Sequence, residues 1–408
     1  MNSSEKKCHV SGVMCQAMTF ILVAVAKPLS HSLVLPKSLP KILCDLSILG
    51  LVLMVALSGC GGTASSAALI SSTAPPAGRT MTPASAQTAP PPTQTSTPTR
   101  TLPDTPTPHM VESPTRAAVE TPAVALTELE PVPRHSCPCG IEHVVIISID
   151  GLRPDAMEQA ETPILDTLRA AGAYTPRAQA VLPSVTLVNH ASMLGGMSPE
   201  KHGIYWNVND PDLGKINGPT LFSVAHAAGL HTAMVVGKPK FEHLVLPGSV
   251  DIYDYAGFTD GQVVNHALSL IETELPDLLF IHLPDVDSTG HTLGWMSRFQ
   301  LITIGRTDGF VGDLIAALAA GDYLDQTLLI ITSDHGGVDR RHGSDSPEEV
   351  TIPWLAVGPG IPAGVILESD IVGYDTAATA SYALHLPIPD TWDGRPVLEI
   401  FGEVASEQ

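Results

Sequence analysis

The chain has 408 residues and a formal net charge of −21, with 42 acidic against 21 basic side chains. Phosphate backbones are bound by clustered Lys and Arg, so this balance argues against a nucleic-acid-binding surface. All six cysteines fall at or before Cys139, so a fold built from the remaining C-terminal stretch owes nothing to disulfides.

Residues 1–60 read as a leader. Lys37 and Lys41 precede the apolar run Leu46–Leu57, and Leu57-Ser58-Gly59-Cys60 follows. Charge, apolar core and small residues in that order are a secretion signal. The tetrapeptide resembles a bacterial lipobox, which implies lipidation of Cys60, a membrane anchor and an extracytoplasmic domain. Residues 61–140 are rich in Pro, Thr, Ser and Ala, as in Ala89-Pro90-Pro91-Pro92. Such sequence buries too little apolar surface to offset chain entropy and reads as a disordered tether. Cys137 and Cys139 are read as linker thiols.

The third domain is expected over 141–408. His143–Ile149 is a run of β-branched residues bounded by Asp150-Gly151, the pattern of a strand buried on both faces. Thr162-Pro163 opens a helix that Gly172 closes, and Leu221–Ala228 repeats the pattern before Gly229. Further strands are expected at Thr232–Val236, Leu278–Leu283, Leu328–Thr332 and Ile352–Val357. Helices are expected near Val263–Glu274 and Phe299–Ala319. Alternation of this kind predicts an α/β fold, a doubly wound, mostly parallel sheet with helices on both faces.

Three of these strands run into acid. The first ends at Asp150, the Leu278 strand leads to Asp285 and Asp287, and the Leu328 strand to Ser333-Asp334-His335-Gly336. Ligands bind at the carboxyl edge of open parallel sheets. Asp287 and His291 flank Ser-Thr-Gly, where a turn can aim both at one ion, and His342 follows Asp334-His335 after a short loop. Carboxylate and imidazole without thiolate suit Zn²⁺ or another first-row divalent ion. A nucleophile is sought in Leu182–His190, where Ser184 and Thr186 both offer a hydroxyl.

The ordered set Asp150-Gly151-Leu152-Arg153-Pro154-Asp155, Thr186-Leu-Val-Asn189-His190, Ser198-Pro199-Glu200-Lys201-His202-Gly203, Asp287-Ser-Thr-Gly290-His291 and Ser333-Asp334-His335-Gly336 resembles the nucleotide pyrophosphatase/phosphodiesterase family of the alkaline phosphatase superfamily. The resemblance implies an alkaline phosphatase-like fold and two zinc ions. One would be held by Asp287, His291 and His342, the other by Asp150, Asp334, His335 and the Thr186 hydroxyl. It further implies attack by Thr186 through a covalent phospho-enzyme. Asn189 and the Thr186 N–H would cradle a non-bridging oxygen. The register favours Thr186 over Ser184, and Asp287 over Asp285. With a neutral amide in the motif and no arginine between Thr186 and Arg298, a monoanionic diester or nucleotide is the expected substrate.

The early position of His342 is also similar to phosphoethanolamine transferases of that superfamily. A phosphonate hydrolase, a phosphoethanolamine or phosphoglycerol transferase and a non-catalytic surface lipoprotein are the competing readings. Histidines 190, 202, 226, 231, 243, 266, 282 and 385 are expected to be structural or exposed. Tyr205 and Trp206 are candidates for stacking on a leaving group or for the core.

Overall fold

The computed structural model describes residues 140–402. The leader, the tether up to Cys139 and the lipidation candidate Cys60 lie outside the described residues.

Eight strands make one sheet: β1 (His143–Ile149), β2 (Ala173–Gln179), β3 (Thr232–Val236), β4 (Ile252–Tyr255), β5 (Leu278–Leu283), β6 (Thr327–Thr332), β7 (Thr351–Val357) and β8 (Val365–Ile366). Their order across the sheet is β4-β3-β5-β1-β6-β7-β2-β8. The neighbours from β4 through β6 pair in parallel. β1 lies at the centre, with Ile146 opposite Phe280 of β5 on one side and Ile330 of β6 on the other.

Side chains alternate across the pleat, so each central strand feeds two cores. Val144 and Ile146 face one layer, which includes helices Thr186–Gly195, Leu221–Ala227 and Asp375–Ala383. Val145, Ile147 and Ile149 face the other, with helices Pro163–Ala171, Asp260–Thr273 and Arg298–Ala320. Burial on both faces is why these strands carry apolar runs without alternation. Each large apolar side chain so covered contributes about 1.5–3 kcal/mol.

The expected strands are present within a residue or so. The sheet is mostly parallel, as expected, and its departure lies at the last of these strands: β7 runs antiparallel to both β6 and β2. Residues 333–350 join β6 to β7 through loop and the short helix Pro347–Val350, with no long helix to carry the chain back across the sheet for a parallel pairing. β2 carried no apolar signal because Pro176 and Arg177 interrupt it. The register shifts between Thr175 and Ala178, where a proline is tolerated. Thr162 precedes helix Pro163–Ala171 without capping it by its side chain; its hydroxyl donates instead to the Met157 carbonyl. Among the described residues no helix is long and apolar enough to cross a membrane.

The topology concentrates chemistry at one place. The carboxyl ends of adjacent β3, β5, β1 and β6 deliver, respectively, Lys238, Asp287, Asp150, and Asp334 with His335.

Candidate active site

Asp287 and His291 were expected on a turn. They lie on helix Asp285–Leu293, one helical turn apart on one face. Asp287 Oδ1 is 3.3 Å from His291 Nε2 and 3.5 Å from His342 Nε2, and the two imidazole nitrogens are 3.1 Å apart. A tetrahedral ion with ligand bonds of about 2.0–2.1 Å spaces its donors by roughly 3.3 Å. The triangle has that size.

A second cluster lies beside it. His335 Nε2 is 3.3 Å from Asp334 Oδ2, 3.4 Å from Thr186 Oγ1 and 3.6 Å from Asp150 Oδ1. Two groups of donor atoms are close enough to hold a cation: Asp287, His291 and His342, and Asp150, Asp287 and His335. Asp287 thus belongs to both groups, whereas the sequence reading gave it to one. Asp334 reaches the second group from the His335 side.

The histidine tautomers follow from their partners. Nδ1 of His291 donates to the Arg340 carbonyl, Nδ1 of His335 to that of Gly336, and Nδ1 of His342 to that of Ser184. A carbonyl only accepts, so each Nδ1 carries the proton and each neutral Nε2 presents a lone pair inward. Burial, and then the nearby His335, hold His342 down at about 4; burial also lowers His335. Both rings therefore remain neutral. Three buried carboxylate oxygens, Asp150 Oδ1, Asp287 Oδ1 and Asp334 Oδ2, accept no hydrogen bond. Burial, followed by the charge of Asp150, drives the Asp334 carboxyl well above the usual range. Lone pairs and unpaired carboxylates facing one another at these distances repel unless cations lie between them. The donor set fits two divalent ions.

The second oxygens of two of these acids serve a lysine that the sequence reading passed over. Lys238 Nζ is 2.5 Å from Asp150 Oδ2, 2.6 Å from Asp287 Oδ2 and 3.4 Å from Thr186 Oγ1. Burial alone would lower its ammonium, but Asp150 and Asp287 outweigh burial and hold it above its ordinary range. His282 completes the surroundings of Asp150. Its Nδ1 accepts from the Gly237 N–H, so its Nε2–H donates to Asp150 Oδ2 at 2.8 Å. Strand order brings both residues to the site. Lys238 follows β3 after a single glycine, and His282 stands within the β5 run.

Thr186 is the first residue of helix Thr186–Gly195, a position whose N–H has no intrahelical acceptor. The rival Ser184 points elsewhere. Its hydroxyl donates to the Ser344 carbonyl at 2.6 Å and to Glu349 Oε2 at 3.1 Å. Asp285 is likewise remote from the clusters, paired with Arg306 at 2.5 Å while its N–H donates to Asp260. Burial and the charge of Asp285 push the Asp260 carboxyl up to about 7.

Asn189 requires a correction. Its Oδ1 accepts from the Val181 N–H at 2.7 Å, and its Nδ2 donates to the carbonyls of Val181, Pro183 and Val185, each at 3.2 Å. Helical side chains lean toward the N-terminus, so Asn189 grips the loop before Thr186 and has no donor left for an oxyanion. Asn207 is the amide beside the nucleophile: its Oδ1 accepts from the Leu187 N–H at 3.0 Å and from Lys240 Nζ at 2.7 Å. Asn189→Ala is therefore expected to act on stability, at a cost of about 3 kcal/mol from its buried hydrogen bonds, read as a lowered urea midpoint. Asn207→Ala is expected to lower turnover more than stability. The opposite pattern would return the oxyanion role to Asn189.

One indole braces the motif loops. Trp295 Nε1 donates to the Gly151 carbonyl at 3.0 Å. A Cβ on Gly290 would lie 2.7 Å from the Trp295 ring, and one on Gly337 2.2 Å from it. His190 bonds the Thr186 carbonyl and Ser148, and His202 bonds Ser192 and the Ile204 N–H; both are structural. Trp206 packs edge-on against His243, while Tyr205 is exposed.

A family model described as "Type I phosphodiesterase / nucleotide pyrophosphatase" matches residues 144–346. The chain is 30% identical over 235 residues to human ectonucleotide pyrophosphatase/phosphodiesterase family member 1, an alignment covering 51% of this chain and 25% of that protein. It is 28% identical over 224 residues to a venom phosphodiesterase of Macrovipera lebetinus, covering 49% and 26%. The chain thus spans about a quarter of the length of these curated relatives. The solved structure of murine ectonucleotide pyrophosphatase / phosphodiesterase 5, an inactive variant in complex with AMP, superposes with a TM-score of 0.54 at 16% identity, covering 61% of this chain and 96% of that one. At that identity the superposition speaks for the fold, which is α/β with a largely parallel sheet flanked by helices. The matched region contains both candidate metal groups in full, and over that region the chain is similar to the type I phosphodiesterase / nucleotide pyrophosphatase family.

Proposed function

We propose that the chain is a two-metal hydrolase of phosphodiester or phosphoanhydride bonds, acting through a covalent phospho-threonine at Thr186. The observation that carries this reading is the convergence of three inward-facing Nε2 lone pairs and three unpaired carboxylate oxygens in two adjoining groups, one of which adjoins the Thr186 hydroxyl through His335. One ion would be held by Asp287, His291 and His342, the other by Asp150, Asp334, His335 and Thr186, with Asp287 close to both. When bound, the ions, taken as Zn²⁺ from the donor chemistry, would supply Lewis-acid stabilisation of charge on the attacking and departing oxygens.

The chain's own residues supply the rest. Thr186, on a helix start whose dipole favours anions, would present its oxygen to phosphorus. Asn207 and the Thr186 N–H flank a non-bridging oxygen. His282 and Lys238 hold Asp150 and Asp287 with their free oxygens inward. The AMP bound by the murine relative supports a nucleotide as substrate. The leader places this domain outside the cytoplasm, tethered through a lipid on Cys60.

The test is hydrolysis of bis(4-nitrophenyl) phosphate by the zinc-loaded chain. Activity is expected to disappear with a chelator and return with zinc; turnover indifferent to the chelator would sink the metal reading. Labelled palmitate supplied during bacterial expression should enter the chain and be absent from Cys60→Ala. Label retained in that variant would dismiss the anchor.

A further inference from the structure

No arginine stands between Thr186 and Arg298, which by itself favours a monoanionic diester. The structure supplies two other cations there. Lys238 Nζ lies 3.4 Å from Thr186 Oγ1, and Lys240 Nζ is bound to Asn207 Oδ1, the same oxygen that accepts from the Leu187 N–H at the second position of the nucleophile helix. Both arise from Lys238-Pro239-Lys240 directly after β3, and both side chains are partly covered. Two divalent ions would already balance Asp150, Asp287 and Asp334. The ammonium groups are then surplus positive charge beside Thr186 and the start of its helix. Lys240 spends one of its three N–H groups on Asn207, and among the described residues no carboxylate is bonded to it. A diester, with one negative charge on its phosphoryl group, leaves that surplus unmatched; a terminal phosphoryl group, with two, matches it better.

We propose that Lys238 and Lys240 fit this site for dianionic phosphoryl groups, giving the chain a phosphomonoesterase activity beside its diester chemistry. The proposal rests on the phosphoryl-transfer reading of the site. Thr186 Oγ forms the bond to phosphorus as the ester P–O bond breaks, and the departing alkoxide takes up the proton released by the threonine hydroxyl. Water then cleaves the threonine phosphoester, restoring the hydroxyl and releasing orthophosphate.

The experiment compares 4-nitrophenyl phosphate with bis(4-nitrophenyl) phosphate on the full zinc-loaded chain, as wild type, Lys240→Met and Lys240→Arg. The leaving group is common, so the pair differs chiefly in phosphoryl charge. The wild type is expected to turn over both. Lys240→Met should lower kcat/KM for the monoester by about 10- to 100-fold more than for the diester, with substantial recovery in Lys240→Arg. Equal losses on the two esters would make Lys240 a prop for Asn207 and overturn the proposal.

A binding readout stands apart from turnover. Zinc-loaded Thr186→Ala, titrated calorimetrically, should bind inorganic phosphate at least about 10-fold more tightly than dimethyl phosphate, and the added change Lys240→Met should narrow that gap. Phosphate bound no better than dimethyl phosphate, or a gap that ignores Lys240, removes the assignment. If the wild type hydrolyses neither ester, the phosphoryl-transfer reading fails, while this titration still decides whether the lysines select a dianion.

Discussion

Thr186→Ala is expected to abolish diester hydrolysis, by on the order of 10⁴-fold or more in kcat, while leaving the fold intact. The side chain makes few structural contacts: Oγ1 has His335 Nε2 and Lys238 Nζ, each at 3.4 Å, as its hydrogen-bonding neighbours. Removing it deletes the attacking atom and little packing. Ser184→Ala is the matched control. Its hydroxyl ties the loop to Ser344, Glu349 and Gly343, so that change should lower stability and reduce turnover only modestly. Rapid quench with a labelled substrate should trap phosphate on the wild-type chain and none on Thr186→Ala. Phosphate trapped on both would move the nucleophile elsewhere.

The second large effect concerns metal content. Asp287 supplies a donor to both candidate groups and holds Lys238 through its other oxygen. Asp287→Ala should therefore take the chain from about two ions to fewer than one, whereas Asp334→Asn, at the edge of one group, should keep the ion at His291 and His342. Elemental analysis of dialysed protein reads this directly, and thermal unfolding with and without chelator gives the linked change in Tm. Asp287→Ala with undiminished metal would show that the shared position is a coincidence of geometry.

The five strands read from the sequence were legible because burial on both faces demands continuous β-branched and aliphatic runs, as in His143–Ile149 and Thr327–Thr332. β2 was not, since Pro176 and Arg177 disguise it and its pairing with β7 is long-range. The helices Thr186–Gly195 and Asp285–Leu293 were obscured for a different reason. Their polar and glycine residues have poor helix propensity, and tertiary packing overrides it. The acids and imidazoles announced themselves by standing at strand ends. Lys238 and Lys240 did not, because a lysine next to a proline reads as a solvated turn until strand order places β3 beside β5. Asn189 was misjudged because no pattern reveals that the loop from Val181 to Val185 needs an amide to satisfy its backbone.

Trp295 joins stretches of chain that are far apart in sequence, touching Gly151, Gly290 and Gly337 at once. The three short motifs are thus not independent modules that tolerate change one at a time. Even a methyl group added at either packed glycine would tilt the indole, and a tilted indole would carry the error to the other two loops. Ligand aim in this protein is a collective property, calibrated by a residue that ligates nothing.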